Sequence, residues 1–172
     1  MSARCRTLAL AVAAATVVCA AAAGAQSAGT GASAATAKGS SKVERGRYVV
    51  RIAGCNDCHT PGYAESGGKI AEDKWLTGDA LGWRGPWGTT YPANLRERVP
   101  RMSEEQWVKY ARTTQLRPPM PWWALHDMSE ADLRAVYRYI VHLGPGGAPA
   151  PAFVPPNQEP KPPYVTFPAP PK

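Results

Sequence analysis

Cysteine is scarce in this 172-residue chain. Two of its four cysteines, Cys5 and Cys19, lie in an alanine-rich N-terminal stretch, which leaves only Cys55 and Cys58. One such pair is too little for a framework of disulfides. The chain also lacks the Lys/Arg-rich runs of nucleic-acid-binding proteins, and no acid–base pair or nucleophilic set predicts an enzyme. The chemistry of the protein is therefore to be sought around one pair of thiols.

The first 25 residues have the layout of a secretory signal peptide. Two arginines precede an apolar run from Leu8 to Ala23, and a small-x-small site follows, with cleavage expected before Gln26. The run is short and mostly alanine for a membrane-spanning helix, which disfavours an uncleaved anchor. A bulky residue precedes Cys19, which disfavours lipoprotein processing. We therefore expect export to the periplasm, with no membrane span after cleavage.

The charge is moderately positive. The chain has 20 Lys and Arg against 13 Asp and Glu, a formal net charge of +7, and removal of Arg4 and Arg6 with the signal lowers it. A field of this size is suited to steering an acidic protein partner. We predict that part of a basic docking face is formed by six side chains: Arg96, Arg98, Arg101, Lys109, Arg112 and Arg117.

Composition divides the rest of the chain into three parts. Residues 26–41 are almost entirely Ala, Gly, Ser and Thr, which predicts a flexible linker, so order should begin at Lys42. Residues 42–144 form the predicted domain. Residues 145–172 contain 11 of the 18 prolines and should form an extended tail. Tyr164, Val165 and Phe167 are apolar enough to pack against the domain or a partner.

Helical patterns occur at both ends of the domain. The first helix should run from about Lys42 into Cys55, with Gly46 on its apolar face. The next two begin at serine caps, Ser103 and Ser129, and the last ends at Gly144. Their predicted buried positions are Trp107, Tyr110, Ala111, Thr114, Leu133, Val136, Tyr137 and Ile140. Between them, residues 69–101 predict a long ordered loop, rich in aromatic side chains.

The central motif is Cys55-Asn56-Asp57-Cys58-His59. Cys-x-x-Cys-His is the attachment signature for c-type haem, because the two thiols reach the two vinyl groups while the imidazole stands under the iron. A thioredoxin-like thiol pair would follow a strand, whereas the residues before Cys55 predict a helix. A zinc site would need a further ligand at suitable spacing, and there is no second cysteine pair.

Iron bound by a proximal histidine has a sixth position, whose occupant decides between electron transfer and ligand binding. The candidates are Met120, His126, Met128 and His142. Met128 is already explained as the apolar residue before a serine cap, and His142 by its place near the end of the last helix. Met120 lies between two prolines that stiffen its backbone, which favours it as the ligand. His126 remains an alternative.

The chain resembles the monohaem class I cytochromes c, and in particular the cytochrome c domains that accompany periplasmic dehydrogenases. The likeness covers about residues 43–143 and rests on the stretches RGRYVVRIAGCNDCHT, GPWGTTYPANL and RPPMPWWALHDMSEADLRAVYRYIVHL. It implies an all-α class I fold, with three to four helices and long ordered loops around one covalent haem c. It further implies haem thioethers at Cys55 and Cys58, iron ligation by His59 and Met120, and an aromatic pair, Tyr137 and Tyr139, where the last helix crosses the first.

The function expected from this likeness is periplasmic electron transfer, with no catalysis by this chain alone. It would act as a shuttle or as the cytochrome subunit of a respiratory dehydrogenase, and the proline-rich tail slightly favours the subunit. The expected partners are a periplasmic dehydrogenase as donor and a cytochrome or terminal oxidase as acceptor, without nucleic acid. Two alternatives stay open: a haem-based sensor or binder with an open or labile sixth position, and a thiol oxidoreductase without haem.

Overall fold

The computed structural model describes residues 30–168, so the predicted signal peptide and the first residues of the predicted linker lie outside it. The helices in this part of the chain are α1 (Thr30–Ile52), α2 (Cys55–His59), α3 (Leu95–Arg98), α4 (Glu104–Thr113), α5 (Trp122–Asp127) and α6 (Glu130–Leu143). The strands are β1 (Gly82–Gly85), β2 (Gly88–Thr90) and β3 (Tyr164–Thr166), and single 3₁₀ turns cover Glu72–Lys74 and Val99–Arg101. None of the helices described here is long and apolar enough to span a membrane.

The core is built where α1 crosses α6. Gly46 of α1 lies against the backbone of Ala135 and the Cβ of Tyr139, so the absence of a side chain lets the helices meet closely. Tyr139 is fully buried, which agrees with the aromatic residue expected at this crossing. Tyr137 has another role, because its hydroxyl donates to the Met102 carbonyl at 2.9 Å.

Both predicted serine caps are confirmed. Ser103 Oγ accepts a hydrogen bond from the Gln106 amide, and the Gln106 side chain accepts one from the Ser103 amide, which completes a capping box. Ser129 Oγ accepts from the Asp132 amide at 3.1 Å. Helix α6 ends at Gly144, as predicted. Of the eight predicted positions on the two helices, Trp107, Ala111, Leu133, Val136 and Ile140 are buried, and Tyr110, Thr114 and Tyr137 are partly buried.

The bounds of the first helix differ from those predicted. Helix α1 already begins at Thr30, since the alanines of the predicted linker have a high helix propensity. Val43 of this helix packs, partly buried, against the core. At its other end α1 stops at Ile52, before Cys55, because Gly54 has a φ of 67° and turns the chain into a separate helix.

The all-α prediction is incomplete, because a three-stranded sheet joins the helical core. The strand order is β2-β1-β3, with β1 antiparallel to β2 and parallel to β3. Strands β1 and β2 form a hairpin within the predicted long loop, which also contains α3. Strand β3 comes from the proline-rich tail and lies at the edge of the sheet, where neighbouring prolines are tolerated.

The proline-rich tail packs back on its own domain, one of the two possibilities left open by its sequence. Phe167 packs against Trp83 and Trp87, with ring centroids 5.8 and 5.5 Å away. Arg84 of β1 forms an ion pair with Glu159, N to O 2.5 Å. The tail therefore covers the outside of the β1–β2 hairpin.

Candidate cofactor site

The Cys-x-x-Cys-His motif forms the whole of helix α2, directly after the left-handed Gly54. Two hydrogen bonds fix this short helix to the following loop. The Thr60 hydroxyl donates to Asn56 Oδ1 at 2.8 Å and accepts from the Leu76 amide at 2.8 Å. Because Asn56, Thr60 and Leu76 are all buried, these hydrogen bonds hold α2 in place from within the protein interior.

His59 is oriented by a backbone carbonyl. Its Nδ1 lies 2.8 Å from the carbonyl oxygen of Ala93, which can only accept, so Nδ1 carries the proton. Burial lowers the pKa of His59, and the hydrogen bond to Ala93 opposes this only in part. The ring is therefore neutral at pH 7, and Nε2 keeps a lone pair with which it can bind a metal ion.

The two thiols have the electrostatics of inert cysteines. Cys55 and Cys58 are partly buried, and neither forms a disulfide. Burial raises the pKa of the Cys55 thiol to about 11 and also raises the pKa of Cys58, with Asp57 adding to both shifts. Thiol oxidoreductases depend on a lowered thiol pKa, so this environment opposes thiolate chemistry. Within residues 30–168, no group of three or more His, Cys, Asp or Glu side chains is placed to hold a metal ion.

Met120 lies in a constrained segment and packs, partly buried, against the core. Its amide donates to the Arg117 carbonyl at 3.3 Å, and its carbonyl accepts from the Trp122 amide at 2.9 Å. The Thr90 hydroxyl donates to the Pro118 carbonyl at 2.6 Å, which ties this segment to β2. The backbone around the predicted ligand is therefore held by neighbours on both sides.

The rival ligands have other structural roles. His126 has its Nε2 2.8 Å from the Thr114 carbonyl, and its ring packs on Trp122 at 4.9 Å between centroids. Met128 ends α5 immediately before the Ser129 cap and packs against the core, as predicted. His142 is exposed in the last turn of α6. These contacts favour Met120 over the other three.

The residues present fit a c-type haem. They offer two thiols for thioether bonds, the Nε2 of His59, and the sulfur of Met120. The indole Nε1 groups of Trp83 and Trp87 are buried, and no residue in the described part of the chain accepts a hydrogen bond from either. Buried donors normally have partners, and the propionate carboxylates of a haem are acceptors that would satisfy them.

One residue of the predicted docking face is misplaced. Arg96 is buried, and its guanidinium donates to backbone carbonyls, so the prediction that it belongs to a docking face is wrong. The other five cations of that set are exposed: Arg98, Arg101, Lys109, Arg112 and Arg117. Sequence reasoning also missed the roles of Ala93 and Asn94, because an alanine carbonyl gives no sequence signal. The Asn94 N-cap of α3 was open to prediction from its residue type.

Comparison of the chain with protein-family models, curated proteins and solved structures gave no significant match.

Proposed function

We propose that the protein is a periplasmic electron carrier with a single covalently attached haem c and His/Met ligation. The observation that carries this proposal is the orientation of His59 within a Cys-x-x-Cys-His helix. The adjacent thiols, the neutral ring and the hydrogen bond to Ala93 together provide two attachment points and one iron ligand. The high pKa of the Cys55 thiol supports this proposal over thiol redox chemistry.

Each residue of the site then has a defined task. Cys55 and Cys58 would hold the haem through thioether bonds, and His59 and Met120 would bind its iron. The bound haem supplies a reversible one-electron couple. The hydrogen bond from Nδ1 to Ala93 fixes the ring and makes Nε2 a more basic ligand. The constrained backbone lowers the ordering cost of keeping Met120 in place in both oxidation states.

The positive charge of the residues around Met120 in the sequence supports the proposal of a negatively charged protein partner. Residues 106–126 contain Lys109, Arg112 and Arg117 but no Asp or Glu, and they include Met120. A periplasmic dehydrogenase as donor and a cytochrome or terminal oxidase as acceptor are the partners proposed. Because the tail packs on its own domain, it no longer favours a bound subunit, and we propose a shuttle.

The absorption spectrum of the exported protein tests the proposal. Sharp haem c bands on reduction, which stay with the polypeptide after denaturation, are expected together with the absence of titratable thiols. A variant with both Cys55→Ser and Cys58→Ser should lose the covalent pigment and serves as the control. A colourless protein with two titratable thiols, from cells able to attach haem, would contradict the proposal. Rapid binding of carbon monoxide by the reduced native protein would favour the sensor instead.

A further inference from the structure

Residues 144–148, where α6 ends and the proline-rich tail begins, are here called the tail root, and Asn94 binds them directly. The buried Asn94 side chain donates from Nδ2 to the carbonyl of Gly146 at 2.7 Å and to that of Ala148 at 3.2 Å. Its Oδ1 accepts from the Glu97 amide at 3.1 Å, as the N-cap of α3. Both ends of one amide are therefore used, one for the helix and the other for the tail.

Arg96 binds the same tail root through its guanidinium. Nε donates to the Gly144 carbonyl at 2.7 Å, and Nη2 donates to the carbonyls of Leu143 at 2.6 Å and Pro145 at 3.1 Å. Nη1 donates to the Asp73 carbonyl at 2.7 Å. The buried cation thus neutralises the carboxyl end of α6 and joins it to the loop before β1.

Close contacts leave little freedom on either side of this arrangement. A Cβ on Gly146 would lie 2.8 Å from the Cζ of Arg96. A Cβ on Gly78 would lie 2.7 Å from the Asn94 amide nitrogen and 2.9 Å from the Pro92 carbonyl oxygen. The segment 92–96 is therefore packed tightly against both the loop at Gly78 and the tail root.

The carbonyl of this segment that faces His59 belongs to Ala93, the neighbour of Asn94. We propose that Asn94 and Arg96 are positioning residues: by clamping the tail root to segment 92–96, they set the hydrogen bond between Ala93 and His59 and thereby the redox equilibrium of the haem. This inference rests on the proposed function. A firm hydrogen bond makes the imidazole a more basic ligand, which stabilises the oxidised state, and a loosened one favours the reduced state.

Two variants test the clamp from opposite sides. Asn94→Ser keeps an acceptor for the α3 cap but loses the two donations to the tail root. Gly146→Ala introduces a methyl group against Arg96 and leaves every side chain of segment 92–96 unchanged. In each variant of the haem-loaded protein, the equilibrium constant for reduction by a mediator dye should rise about threefold. The His59 Nδ1 proton of the reduced protein should also exchange faster with solvent, as followed by NMR.

Ser103→Ala is the matched control, since it removes a helix cap whose side-chain hydrogen bond is to Gln106, outside segment 92–96. It should lower stability and leave both readouts at their wild-type values. If Asn94→Ser does not accumulate, Gly146→Ala decides, because it displaces Arg96 without removing any hydrogen-bonding side chain. Wild-type reduction equilibria and exchange rates in a pigmented variant would overturn the inference and leave the haem proposal standing. Absence of covalent haem from the wild-type protein would instead refute the proposed function.

Discussion

Gly46 of α1 lies directly against the backbone carbonyl of Ala135 in α6, closer than any side chain would allow. The same glycine faces the Cβ of Tyr139, whose side chain is fully buried. The contact brings α1, which leads to the Cys-x-x-Cys-His motif, against α6. The position of the motif therefore depends on a close contact between two helices that is possible only because residue 46 has no side chain.

Gly46→Ala should destabilise the fold by about 3 kcal/mol, because its methyl group meets backbone atoms that cannot rotate away. Urea unfolding of the haem-loaded protein measures the loss. Gly39→Ala is the matched control on the same helix, since no atom lies within 4 Å of its added Cβ. It should leave stability unchanged or raise it by up to about 1 kcal/mol through helix propensity. Equal effects of the two substitutions would contradict the crossing described here.

The identity of the sixth ligand can be read from the oxidised spectrum. Met120→Ala should abolish the weak far-red band of methionine-bound ferric haem, because the proposed sulfur ligand is removed. Met128→Ala removes an equal side chain that packs against the same core and should retain the band. Loss of the band in Met128→Ala alone would assign the ligand to that residue. Retention of the band in both variants would contradict the assignment of Met120.

An ion-pair network between α4 and α6 should make stability dependent on pH. Arg138 donates from Nε to Glu104 at 2.7 Å and holds the pKa of that carboxyl below its ordinary value of 4.5, with Arg134 adding to the effect and burial opposing it. The folded protein therefore binds fewer protons than the unfolded chain as this group titrates. The contribution of the ionised Glu104 to the free energy of unfolding is complete above pH 4.5. It is lost as the pH falls through the lower pKa that Glu104 has in the folded protein.

Glu104→Gln should consequently lower the free energy of unfolding at pH 7 by about 1–2 kcal/mol, and the difference from wild type should shrink below pH 4.5. Urea titrations at pH 7 and pH 3 measure this. Glu105→Gln is the control, because its exposed carboxylate pairs with Arg134 at 3.2 Å on the surface, and little change is expected. A difference that persisted undiminished at pH 3 would assign the effect to packing rather than to the carboxylate charge.

The parts of the fold that were predictable from sequence depend on local signals. Ser103 and Ser129 cap helices through contacts three residues away, and the left-handed Gly144 ends α6 where glycine and proline meet. The Cys-x-x-Cys-His motif is likewise local, because its five consecutive residues, Cys55–His59, form one short helix. All the residues that form such a signal lie within a few positions of one another in the sequence.

The parts that were missed depend on distant partners. Strand β3 begins at Tyr164 and pairs with β1, whose short glycine-bounded sequence has no alternation that would reveal a strand. Arg96 and Arg98 have the same charge and nearly the same neighbours, yet only Arg96 is buried, because the carbonyls that satisfy it belong mainly to the end of α6. The partner of His59 is a backbone atom, and a backbone atom leaves no signature in residue identity.

The contact of the tail with the β1–β2 hairpin should contribute measurably to stability. Phe167→Ala removes the ring that packs on Trp83 and Trp87 and should cost about 1–2 kcal/mol, less than a fully buried phenylalanine because the residue is half-buried. Hydrogen exchange of the β1 amides should also accelerate. Val165→Ala changes an exposed neighbour on the same strand and should cost less than about 0.5 kcal/mol. An unaltered stability of Phe167→Ala would show that the tail is held by other contacts.

The exposed cations of the proposed docking face should control electron exchange with charged reagents. Lys109 is exposed and forms no ion pair with any residue in 30–168. Lys109→Glu should slow oxidation of the reduced protein by ferricyanide about two- to threefold at low ionic strength, since it repels the anion. The same variant should accelerate oxidation by a cationic cobalt complex, and salt should reduce both effects.

Lys161→Glu makes the same charge change in the tail, outside residues 106–126, and separates local steering from net charge. A smaller effect of this substitution than of Lys109→Glu would support electron transfer near Met120. Equal effects would mean that only the total charge matters, and the proposed docking face would then be wrong. Because Arg96 is buried, the face that is tested consists of the remaining five cations, of which Lys109 and Arg112 lie in α4 and Arg117 lies three residues before Met120.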